Sequence, residues 1–104
     1  MSAELGQVVE TLATEAGDVT PTKTFSGTEY LRHGQAFAAV GGDAVELRLL
    51  ADVAEAARRT PDASSSARGD EWVRFAPSAW DDHARDRLEA WFRVAWRFAG
   101  DGSR

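Results

Sequence analysis

The chain has 104 residues and no cysteine, a size that suits one domain around one core and a composition that excludes a disulfide framework, thiolate metal sites and cysteine redox chemistry. Its formal charge of −5 argues against non-specific nucleic-acid binding, where Lys and Arg must replace the counterions condensed on phosphate. No apolar run approaches the ~20 residues needed to span a bilayer, and the opening residues read as an amphipathic helix, not as an export signal, so a cytoplasmic protein without membrane association is expected.

Leu5, Val8, Val9, Leu12, Ala13 and Ala16 recur at helical spacing, with Ser2 placed to cap the helix and Gly17 to end it. Asp18 to Pro21 break the pattern. From Lys23 to Leu50 short β-favouring runs are split by Ser26-Gly27, His33-Gly34 and Gly41-Gly42-Asp43, which predicts a three-stranded antiparallel meander. A short helix follows over about 52–59, with Asp52 as its cap, Glu55 at the reciprocal position and Pro61 as its stop. The polar stretch "PDASSSARGD" reads as a loop, with or without a brief edge strand, before "EWVRFA" supplies a further strand. A last helix is predicted over about 79–99, capped by Ser78 and stopped by Gly100. The expected class is α+β: an antiparallel sheet of four to five strands in the order α-β-β-β-α-β(β)-α, with all helices on one sheet face.

The register of "FAAVGGDAVELRL" decides which side chains are buried, since a one-residue slip turns every side chain to the other face. A three-residue loop of Gly41, Gly42 and Asp43, with Asp43 left-handed, sets Phe37 opposite Leu47 and buries it, a gain of about 1.5–3 kcal/mol. The expected inner face is then Leu31, Phe37, Ala39, Val45, Leu47, Leu49, Val73 and Phe75. On the last helix, Trp80, Ala84, Leu88, Trp91, Phe92, Ala95, Phe98 and Ala99 fall within an arc of about 120°, opposite Asp82, Asp86, Glu89, Arg93 and Arg97. The rings in that arc are predicted to dock the helix on the sheet. Trp96, at the edge of the arc, is left partly free.

The helix, the meander and the aromatic last helix together resemble the TfoX N-terminal-domain and YjbR/MmcQ-like families. The stretch "KTFSGTEYLRHGQAFAAV" carries the likeness, with Lys23, Phe25, Gly27 and Phe37 at matching positions and Thr24 and Ser26 standing where those families have Met and Gly. The resemblance implies a compact α+β domain and brings no catalytic residue set.

The search for chemistry returns no phosphate-binding loop, no dinucleotide fingerprint, no nucleophile elbow and no zinc-protease motif, so neither a catalytic residue nor a cofactor is expected. Asp82, His83 and Asp86 lie on the solvated face of the last helix and read as a charge cluster, not a metal site. His33 reads as a turn residue, Ser64 to Ser66 as a flexible loop, and Arg68-Gly69-Asp70 as a turn into a strand. Strand alternation turns Tyr30, Arg32, Glu46, Arg48, Trp72 and Arg74 to the outer face, a composition that suits a partner or an anion. The simpler account is that the Arg stems and Glu46 cover the rings by cross-strand pairing. Two functions follow as expectations. One is a non-enzymatic interaction or regulatory module, with a protein partner or as a homodimer. The other is a small-molecule or anion site using Lys23, Arg32, Arg48 and Arg74.

Overall fold

A computed structural model describes residues 2–101, and side chains within 4–100. The capping role expected of Ser2 lies outside the described side chains. Among the described residues, three helices and six strands follow the order α1 (Ser2–Ala16), β1 (Val19–Thr24), β2 (Gly27–Arg32), β3 (Gln35–Gly41), β4 (Ala44–Arg48), α2 (Ala51–Arg58), β5 (Ala63–Ser66), β6 (Gly69–Phe75) and α3 (Asp82–Asp101). The α+β class and the helices at both ends are as expected. The sheet holds more strands than expected, because β1 starts at Val19 and tolerates Pro21 on an edge, where a missing N–H breaks no ladder bond. The "ASSS" stretch takes the edge-strand option as β5.

All pairings are antiparallel, in the spatial order β1-β2-β3-β4-β6-β5. The first four strands form a meander, then the chain crosses through α2 to the far edge and returns as β6. Helix α1 ends where Gly17 takes φ +80°, its N–H donating to the Ala13 carbonyl. His33 and Gly34 both take positive φ, as a two-residue hairpin turn between β2 and β3 requires.

The β3–β4 hairpin corrects the expected register. Gly41 pairs with Ala44 and Ala38 with Leu47, so the loop is two residues, Gly42 and Asp43, and only Gly42 takes positive φ. Phe37 is nonetheless fully buried. Strand β3 carries a β-bulge: Tyr30 pairs with Ala38 and Leu31 with Ala36, which leaves Phe37 as the extra residue. The bulge interrupts alternation and lets Phe37 and Ala38 turn to the same side. The same pairing corrects two faces of β2. Tyr30, opposite Ala38 and so level with Leu47 and Val73, is buried under the helices, whereas Leu31 faces the other way. Ala39 is buried too, on the helix-free side opposite Glu46.

The core lies between the sheet and the helices and unites Leu5, Val9 and Leu12 of α1, Ala54 and Ala57 of α2, Leu88, Phe92 and Ala95 of α3, and Phe37, Val45, Leu47, Leu49, Val73 and Phe75 of the sheet. Phe92 meets Phe37 edge-on with ring centroids 5.4 Å apart, and the half-buried Trp91 meets Phe75 at 5.2 Å. Of the four rings expected to dock the last helix only Phe92 is fully buried: Trp91 packs half-buried, Trp80 precedes the helix, and Phe98 lies beside Arg48 outside the core.

Helix ends differ from expectation. The cap of α3 is Asp81, whose Oδ1 accepts from the Ala84 N–H at 2.9 Å; Ser78 instead donates its N–H to Asp62. The α2 cap position is Leu50, which offers no side-chain acceptor, and Asp52 lies inside the first turn. Gly100 does not stop α3, which continues to Asp101. A Cβ at Gly100 would collide with the Arg32 guanidinium, so close approach explains the glycine. Among the described residues no helix is long and apolar enough to cross a membrane.

Candidate functional site

The residues singled out from the sequence for a partner or ligand surface fall into three separate places. Arg32 and Trp96 form a clamp at the α1–α3 junction. The Arg32 guanidinium lies 3.6 Å from the centroid of the Trp96 ring, and its Nη1 donates to the Trp96 carbonyl at 2.8 Å. The Trp96 indole N–H in turn donates to the Gly17 carbonyl at 2.9 Å, joining the end of α1 to α3. A cation near a helix C-terminus also complements its dipole. Neither residue is free for a partner, and Arg32 is on the helix side, not the outer face, because it lies two residues beyond Tyr30 on the same strand.

Tyr30 and Lys23 form a second place, on the helix side near the β1 edge. They line a cleft of about 410 Å³ between α1 and the β1–β2 hairpin, together with Glu10 and Thr28. Burial and then the nearby Glu10 carboxylate push the Tyr30 phenol above its ordinary range.

Trp72 and Arg74 lie on the helix-free face; Arg48 starts there by register but turns its guanidinium over the end of the sheet toward α3. Arg48 is directly opposite Trp72, and Arg74 directly opposite Glu46. Arg48 pairs with Glu71 at 3.3 Å and has the Phe98 ring 4.7 Å from its guanidinium carbon. Across the middle of this face runs the row Thr22, Glu29, Ala39, Glu46, Arg74, Ser64. Over it lies Arg68, from the β5–β6 turn. Its Nε donates to Glu46 at 3.0 Å and its Nη1 to Glu29 at 3.1 Å, and its guanidinium carbon is 5.1 Å from the Trp72 ring. Ser66 donates to the other Glu46 oxygen at 2.6 Å. Burial weakens the charged form of Arg68, but the bonds to Glu46 and Glu29 outweigh it and raise its pKa. Arg68 is the residue that sequence reasoning missed. Inside "RGD" it reads as a turn, and only the strand order brings that turn over β4 and β2.

At one end of the face, Thr24, Ser26, Ala39, Glu46, Arg68 and Arg74 line a hollow of about 200 Å³. Phe25, between Thr24 and Ser26 at the tip of the β1–β2 turn, is fully exposed. Arg74 has no ion-pair partner among the described residues, whereas Arg48 and Arg68 are paired. The four cations expected around one anion site are thus divided, with Lys23 and Arg32 on the helix side, Arg74 on the other, and Arg48 turned over the end of the sheet to Phe98.

No family model matches the chain, and neither a curated protein nor a solved structure matches it.

Proposed function

We propose that this domain is a non-enzymatic interaction module of the TfoX N-terminal-domain and YjbR-like type, and that it self-associates through the helix-free face of its sheet. The observation that carries this reading is the placement of a knob beside a hole. The fully exposed Phe25 projects next to the hollow that holds Arg68 and Arg74. A two-fold contact needs a self-complementary surface, and two copies facing each other can each seat Phe25 against the other's guanidinium groups, a cation–π contact. Charge supports the same occupant. The face carries Glu29 and Glu46 with Arg68 and Arg74, both signs together, on a chain whose net charge of −5 would otherwise repel its own copy. Trp72 and Arg side chains are the types enriched at interfaces.

The test is sedimentation velocity across concentrations up to about 1 mM, beside Phe25→Ser and Arg74→Glu. A concentration-dependent dimer in the wild type that both variants abolish is the expected result. A wild type that stays monomeric throughout overturns the proposal, as does a dimer indifferent to both substitutions.

A further inference from the structure

On the opposite side of the sheet, the cleft between α1 and the β1–β2 hairpin has a cause in the sequence. Gly6, Glu10 and Ala13 follow one another at helical spacing along the flank of α1 that faces the hairpin. Alternation brings Pro21, Lys23 and Tyr30 to the facing wall. Two of the three helix positions are nearly without side chain, so helix and hairpin do not close on each other.

Gly6 is the informative residue. It sits inside a helix, where glycine weakens helical structure relative to alanine. Sterics do not demand it, since a Cβ there would meet only Val40 Cγ1 at 3.9 Å, an ordinary contact. What glycine leaves at this position is an open cleft of about 410 Å³, within the size range of small-ligand sites. The second observation is Tyr30. Its residue is 6% exposed, and it borders the cleft, close enough to Glu10 to feel that carboxylate. A phenol at the wall of an open cleft presents its polar end to whatever enters it. The third is charge: Glu10 stands on the helix wall and Lys23 on the strand wall, unpaired with each other, with Pro21 and Val40 as apolar surface.

The geometry points to this cleft as a binding site for a small zwitterion, an α-amino acid with an apolar side chain, its ammonium toward Glu10, its carboxylate toward Lys23 and its side chain on Pro21 and Val40. Opposite charges on opposite walls select a ligand that carries both, and the phenol serves either end, as donor to the carboxylate or acceptor from the ammonium. The site lies on the other face from the self-association surface, so either proposal can fail without the other.

The test is an amide NMR titration of the full chain with L-leucine to about 10 mM, a range suited to a small exposed site. Saturable shifts confined to the cleft residues are expected, and N-acetyl-leucine and leucinamide, each lacking one charge, should bind at least about tenfold more weakly. Gly6→Leu should abolish the shifts while the melting temperature stays at or above that of the wild type. Lys23→Gln, at an exposed strand position, gives a reading that does not depend on filling the cleft: about tenfold weaker binding with unchanged melting. Absence of saturable shifts, equal binding of the neutralised compounds, or undiminished affinity in Lys23→Gln overturns the assignment.

Discussion

Replacing Phe37 by Ala tests the least regular feature of the sheet. Strict alternation from the observed Ala38–Leu47 pairing would place this ring beside Ala39 on the helix-free face; the bulge turns it into the core, where it is fully buried and meets Phe92 edge-on. A buried Phe hides roughly 200 Å², and at ~25 cal/mol/Å² with the cavity left behind, Phe→Ala costs about 3–5 kcal/mol. A domain of 104 residues has about 5–15 kcal/mol in total, so the variant loses a large share of its stability. At roughly 4–8 °C per kcal/mol for this size, the midpoint should fall by about 12–40 °C. Urea and thermal unfolding followed by circular dichroism measure it, and the double variant with Phe92→Ala should show a coupling of about 0.5–1.5 kcal/mol. A loss below about 1 kcal/mol, with no coupling to Phe92, would mean that the ring lies on the solvent side and that the bulge is not there.

The capping assignment predicts that Asp81→Ala destabilises by about 0.5–2 kcal/mol in chemical unfolding, the usual cost of a lost cap. Ser78→Ala, which keeps its backbone N–H bond to Asp62 and loses only the 3.4 Å hydroxyl contact, should cost less; the reverse ranking would restore Ser78 as the cap. Tyr30 is the sole tyrosine, so alkaline titration of phenolate absorbance reads this one group. Its folded-state pKa is raised above the ordinary phenol value by burial and by Glu10, so its contribution is fully present below about pH 10 and is lost as pH rises through the folded value. Tyr30→Phe should flatten that alkaline decline in stability, and a phenol titrating at or below the ordinary value would contradict its placement.

Much of the fold was legible because local signals agreed with one another. The 3.6-residue period of α3 identified Leu88, Phe92 and Ala95 as core, and the glycine-bearing breaks marked the turns. Errors entered where two local readings compete. Strict alternation buries Phe37 only with a three-residue hairpin loop, whereas a bulge buries it with a shorter loop and a different register. That one choice also misplaced Leu31 and Tyr30, because faces along a strand are inherited from the pairing. Ser78 and Asp81 are both acceptable caps by type, and which is used depends on Asp62, a residue distant in sequence that engages Ser78.

The candidate sites were less legible than the core. Arg32 and Trp96 are 64 residues apart and meet only because β2 ends beneath the last turns of α3. Arg68 reaches Glu46 and Glu29, and these two acids flank Ala39 from neighbouring strands. The amino-acid sequence by itself determined the class of the domain and the buried helical stripe of Leu88, Phe92 and Ala95, since these follow from periodicity and apolar content along short segments. Only the tertiary structure decided which charges meet, which face is left bare and where a cleft remains. Those depend on strand order, one inserted residue and the absence of a side chain at Gly6, and none of them leaves a periodic trace in the chain.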